Sequence, residues 1–166
     1  MRCGDVAGCA VLELGAGRGA PALGARGRGA TEARLADSAP AALAAIHKNI
    51  TKLRLDNVRA VRRDYLSILK DAAKKRHRYD LIFVDPPYRM QRVIEPELAR
   101  WLPRVAAPGA RVIVESGSRE EASLPLELAA DKVYGDTRVR IFLVPEADLA
   151  AAESKTSTDQ IPEDSG

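Results

Sequence analysis

The stretch "RYDLIFVDPPYRM", residues 78–90, decides the reading of this chain. The first half of the stretch is an almost unbroken apolar run, the mark of a strand buried on both faces, as strands of parallel sheets are. It stops at Asp85, and Pro86 and Pro87 then fix the backbone between that carboxylate and the ring of Tyr88. A carboxylate and an aromatic ring held rigidly at the carboxyl end of a buried strand point to a binding site.

Outward from there, strand-like and helix-like segments alternate. On the amino-terminal side, "CAVLELG" (9–15) is a strand running into a glycine-rich turn, "ARLAD" (33–37) a short strand, and "NVRAVRRD" (57–64) an alternating one. Between them, Leu43, Ile46, Ile50 and Leu53 recur at helical spacing within 39–55, with Ser38 placed as N-cap and Pro40 in the first turn. "YLSILKDAAKK" reads as the next helix and "RVIEPELARWL" as another. After the turn at Pro108-Gly109, "ARVIVES" (110–116) is a strand, and 126–144 reads as two strands joined near Gly135-Asp136. The expected fold is α/β: a doubly wound, mostly parallel, seven-stranded, Rossmann-like sheet with right-handed crossovers and an antiparallel edge strand. Ligands of such sheets sit at the carboxyl ends of the strands.

Three acids fall at such ends. "ELGAGRG" (13–19) closes the first strand, where Gly15, Gly17 and Gly19 let the backbone approach a ligand without Cβ clashes. Asp37 lies twenty residues beyond Gly17, where a carboxylate can take both hydroxyls of a ribose. Asp64 ends the third strand and Asp85 the fourth. For Asp37 or Asp64 alone, helix capping is an equal alternative.

Composition bounds the remainder. A chain of 166 residues, 46% of them hydrophobic, can bury one substantial core. No apolar run reaches membrane-spanning length and "MRCGDVAGCA" lacks a secretory core, so the protein is expected to be cytoplasmic. Cys3, Cys9, His47 and His77 are too few for a disulfide framework or a structural zinc site, and no metal is expected. Residues 1–146 are read as one domain and 147–166 as a disordered acidic tail. From Glu146 onward six acids face one lysine, which leaves about +8 on the preceding chain from a total of +3. Eleven Lys and Arg lie between His47 and Arg78, a footprint that suits either a solvated helix face or a polyanion.

"VLELGAGRG", "LADS", "RRDYLSIL" and "LIFVDPPY", in this order and spacing, resemble a class I S-adenosylmethionine-dependent methyltransferase. With "APGARVIVES" and "YGDTRV", residues 10–144 are similar to the RsmD family, the guanine-N2 methyltransferases of small-subunit ribosomal RNA. The resemblance implies S-adenosylmethionine as cofactor. Glu13 and the glycine turn (Gly15, Gly17, Gly19) would hold its methionine part, Asp37 its ribose and Asp64 its adenine amino group, with Ser38 and Tyr65 also among the cofactor-binding residues. Asp85, Pro86, Pro87 and Tyr88 would face the base. It also implies a ribosomal RNA partner, rRNA processing and a monomer. The chain is short before the first strand for that family, and it carries Gly15 where the family usually has an aromatic and Arg18 where a small hydroxyl residue is usual.

The chemistry fits those residue types. An exocyclic amine is a poor nucleophile because its lone pair is delocalised into the ring. Asp85 and the Pro86 carbonyl can accept its hydrogens and turn the lone pair toward the methyl donor, while Tyr88 stacks on the unstacked base. The alternatives are a DNA adenine-N6 or cytosine-N4 methyltransferase, and a catalytically weak methyltransferase-like domain that binds RNA or a partner.

Overall fold

The computed structural model describes residues 6–86 and 91–146. In chain order the elements are β1 (Ala10–Leu14), α1 (Ala20–Gly27), β2 (Glu32–Asp37), α2 (Pro40–Leu53), β3 (Val58–Arg62), α3 (Tyr65–Lys74), β4 (Tyr79–Val84), α4 (Gln91–Val105), β5 (Ala106–Gly117), β6 (Glu127–Tyr134) and β7 (Thr137–Leu143). The expected tail at 147–166 lies outside the described residues.

One sheet holds all seven strands in the order β3-β2-β1-β4-β5-β7-β6. β1 to β5 pair in parallel, and β7 runs antiparallel to both β5 and β6. The antiparallel edge is thus a hairpin that closes through Gly135-Asp136, with β7 second from the edge and β6 outermost. Chain order reverses between β1 and β4, which opens a crevice at their carboxyl ends.

The pattern of burial follows from strand position. Leu12, Leu14, Ile82 and Val84 face α3 and α4 and pack with Ile68, Leu69, Leu98 and Leu102. Val11, Leu35 and Leu81 face the other way, against Leu23 of α1 and Ile46 of α2. Both faces of the central strands are covered, hence their continuous apolar sequence. Leu12, Leu14 and Ile82 are fully buried, and truncating any one to alanine would cost about 2–5 kcal/mol. β6 is exposed along most of its length, and Glu127, Asp131 and Lys132 keep that edge charged.

Three local expectations are corrected. Ser38 is not the N-cap of α2; Ala39 is, without a side-chain cap, because Asp37 Oδ1 accepts the Ala39 N–H at 2.9 Å and shapes the turn itself. Pro108-Gly109 does not precede β5 but lies within it, as an irregularity between Tyr79↔Ala106 and Leu81↔Arg111. There Gly109 adopts φ +77° and donates to the Val144 carbonyl at 2.9 Å. Cys9, buried at the head of β1, is disulfide-bonded, which the cysteine count did not lead one to expect.

Candidate active site

Register places the site. Leu14 of β1 pairs with Ala36 on one side and Val84 on the other, and Val84 pairs with Val114. The next residue of each chain therefore falls into one row across the sheet, in the order Asp37, Gly15, Asp85, Glu115. The Gly15 N–H to Ala36 and Asp85 N–H to Leu14 bonds, both 3.0 Å, carry the pairing into that row. A cleft of about 600 Å³ opens over it.

Gly15 is the gap in the row. Its φ of +74° is one that few other residues adopt, and a Cβ there would lie 1.9 Å from the Tyr65 hydroxyl and 2.3 Å from the Asp85 carbonyl. Asp37 Oδ2 accepts the Gly17 N–H at 3.0 Å, so the glycine turn is held by the same carboxylate that shapes the start of α2. Asp64 is the N-cap of α3: Oδ1 accepts the Ser67 N–H at 2.8 Å, and Oδ2 accepts the Ser67 hydroxyl at 3.1 Å. These bonds hold its carboxyl below the ordinary aspartate value.

Burial and clustered negative charge act in the opposite direction elsewhere. Asp85 opens onto the cleft, yet partial burial, and then the Glu115 and Asp37 carboxylates, push it up to about 6. Tyr65, almost wholly buried, is raised by burial and by Asp85, Asp37 and Glu13, so its hydroxyl keeps its proton and can donate. Glu13 is 3% exposed and is raised to about 7, chiefly by burial, against the lowering effect of the Ala22 N–H.

Most of the residues singled out in the sequence meet here. Gly15, Asp37, Ser38, Asp64, Tyr65, Asp85 and Pro86 line the cleft. Glu13 does not. Alternation along β1 points it with Val11 toward α1, where Oε1 accepts the Ala22 N–H at 2.8 Å and serves a helix start that Gly19 leaves uncapped. Gly17 and Gly19 also stand outside the lining; Gly19 is packed against Leu35 and Ile46. Pro87, Tyr88 and Arg89 lie outside the described residues. Lys74, Lys75 and Arg76 sit at the far end of α3, on the sheet edge opposite the cleft, where Lys75 pairs with Asp71 at 3.2 Å.

Sequence reading missed Glu97 of α4 and Glu115 of β5, both in the lining. The signal for Glu115 was present in "ARVIVES", an acid closing a fourth parallel strand in the same way as Asp37, Asp64 and Asp85 follow theirs. Among the described residues the lining holds Asp37, Asp64, Asp85, Glu97 and Glu115 and no Lys, Arg or His. Such a cleft suits a ligand that is cationic and rich in hydrogen-bond donors, and it disfavours phosphate.

The profile of the family described as Conserved hypothetical protein 95 matches residues 2–143. The chain belongs to that family, the RsmD-like class I methyltransferases. Among solved structures, this RsmD-like chain is similar to the candidate methyltransferase yhhF of Escherichia coli, at 28% identity and a TM-score of 0.73 over 87% of this chain and 80% of that one. A conserved hypothetical protein of Streptococcus pyogenes is 26% identical with a TM-score of 0.69, over 83% of this chain and 87% of that one. A further candidate methyltransferase, SMU.776, was solved complexed with SAH; at 20% identity and a TM-score of 0.67, over 85% of this chain and 46% of that one, it bears on the fold alone. No curated protein matches the chain. Among the described residues of this RsmD-like chain, no helix is long and apolar enough to cross a membrane.

Proposed function

We propose that the chain transfers a methyl group from S-adenosylmethionine to an exocyclic amine of a nucleobase, guanine N2 of small-subunit ribosomal RNA. The observation that carries this reading is the carboxylate row with its gap at Gly15. It offers acceptors for a cationic, donor-rich cofactor on the Asp37 side and for an amine on the Asp85 side.

The residues present fit that cofactor. Asp37 keeps free lone pairs for ribose hydroxyls while its oxygens hold Gly17 and Ala39. Asp64, beside Tyr65 after β3, would take an adenine amino group, and the main chain of Gly15 lines the same cleft. When bound, S-adenosylmethionine supplies a methyl group already activated by the positive charge on sulfur.

The protein's task is then to position the amine. The Asp85 carboxylate and the Pro86 carbonyl accept its two hydrogens, which favours a pyramidal nitrogen with its lone pair turned to the methyl group. After transfer the nitrogen must lose a proton, and Asp85, with its raised pKa, is a suitable first acceptor. Tyr88 would stack on the base and Pro87 would hold it in place.

The test is incorporation of labelled methyl groups into small ribosomal subunits, followed by identification of the modified nucleoside. N2-methylguanosine formed by the wild type and not by Asp85→Ala supports the reading. Methylated adenine or cytosine, or no product from a protein that binds SAH, rules it out.

A further inference from the structure

Asp85 and Glu115 follow directly paired residues on adjacent parallel strands, Val84 and Val114, so they stand side by side at a spacing of about 5 Å. Each raises the other's neighbourhood in negative potential, and Glu115 contributes to the raised pKa of Asp85. Glu115 is exposed to the cleft and has no hydrogen bond or ion pair with any described residue. A carboxylate next to another, with no cation between them, is an unfavourable arrangement unless a ligand brings donors to both.

We infer that Glu115 is a specificity-determining residue that accepts the N1–H of a guanine whose 2-amino group lies at Asp85. The inference rests on the methyl-transfer reading above and deepens it. Guanine presents two neighbouring donors on its Watson–Crick edge, N1–H and the 2-amino group. Adenine and cytosine each place a bare ring nitrogen, an acceptor, beside their amino group. Against two adjacent carboxylates guanine is satisfied at both, whereas adenine or cytosine sets a lone pair against the Glu115 oxygen. A site built on buried or cleft-bound polar groups rejects the ligand that leaves them unpaired more strongly than an apolar pocket can. Aspartate at the first position serves the reacting nitrogen; the longer glutamate beside it reaches the adjacent ring position.

The test uses nucleosides and the full chain saturated with SAH, whose binding is first measured by calorimetry. Guanosine, 2-aminopurine riboside and adenosine are titrated by ligand-observed NMR. 2-Aminopurine keeps the 2-amino group and has a bare N1. The wild type is expected to bind guanosine about tenfold more tightly than 2-aminopurine riboside, the worth of one hydrogen bond to a charged acceptor. In Glu115→Ala the two affinities should converge to within about threefold, with SAH affinity unchanged. Glu115→Gln, which retains an acceptor oxygen, should restore part of the preference. An unchanged preference in Glu115→Ala with SAH bound, or no guanosine preference in the wild type, overturns the role of Glu115 alone. A wild type that does not bind SAH overturns the methyl-transfer reading and this inference with it.

Discussion

The Tyr65 hydroxyl donates a 2.8 Å hydrogen bond to the main-chain carbonyl of Asp85, tying the first turn of α3 to the segment that follows β4. The carbonyl precedes Pro86, so the bond fixes the peptide from which the acceptor pair of the cleft projects.

Tyr65→Phe keeps the ring and removes only this tie. A loss of about 0.5–1.5 kcal/mol in folding stability is expected for a neutral hydrogen bond. Methyl transfer should fall by about tenfold or more, because small displacements of positioning groups are costly. SAH affinity measured in parallel should change little. A variant with wild-type kcat would show that the bond is structural only.

Gly15→Ala should be far more damaging than a usual glycine substitution. Its Cβ meets the Tyr65 hydroxyl and the Asp85 carbonyl at 1.9 and 2.3 Å, and the backbone is already at φ +74°. The room that an aromatic at position 15 would take is filled by Tyr65, reaching in from α3. Combining Gly15→Ala with Tyr65→Phe relieves one of the two clashes, so thermal unfolding should show partial recovery and no more. Full recovery would mean that the carbonyl clash relaxes freely.

Asp85 acts as a carboxylate acceptor, so kcat/KM should be low at acid pH and rise through about 6. Glu115→Gln removes one neighbouring negative charge and should move that inflection downward, while burial keeps it above the ordinary aspartate value. Asp85→Ala should abolish transfer with SAH affinity nearly unchanged. A pH profile without this inflection would assign the proton chemistry elsewhere.

For Asp37→Ala, lost hydrogen bonds to a charged acceptor predict SAH binding weaker by about 1.5–3 kcal/mol. The bonds from Gly17 and Ala39 predict an additional loss of folding stability, of about 1 kcal/mol, from the loosened turn and helix start. Asp37→Asn, which retains one acceptor oxygen, should lie between. If calorimetry gives an unchanged SAH dissociation constant while stability falls, Asp37 serves only to hold the glycine turn and the turn into α2.

Glu13, raised to about 7 by burial, binds a proton more tightly folded than unfolded. Its favourable contribution is therefore whole below the unfolded value near 4.5 and declines as pH rises toward and through 7. The decline amounts to about 3 kcal/mol at most, at 1.36 kcal/mol per pKa unit. Glu13→Gln keeps an acceptor for the Ala22 N–H without a charge, so its stability should exceed that of the wild type at pH 8 and match it at pH 4. Denaturant titrations at the two pH values measure the difference; equal curves at pH 8 would refute it.

The amino-acid sequence by itself determined the alternation of strands and helices, the buried strand before Asp85, and the acids at the carboxyl ends of β2, β3 and β4. These are local properties: apolar period, turn residues and rigid prolines are written over a few consecutive positions. It also carried the family resemblance, because "LIFVDPPY" and "YGDTRV" are contiguous. Only the tertiary structure decided which strand ends share a row. Register between β1, β2, β4 and β5 sets Glu115 beside Asp85 and leaves Gly15 as the gap, and pairing between strands distant in sequence is not encoded in any one segment. The same applies to Tyr65, whose filling of the space at Gly15 depends on how α3 packs. It applies as well to Glu13, which alternation along β1 turns away from the cleft toward the uncapped start of α1.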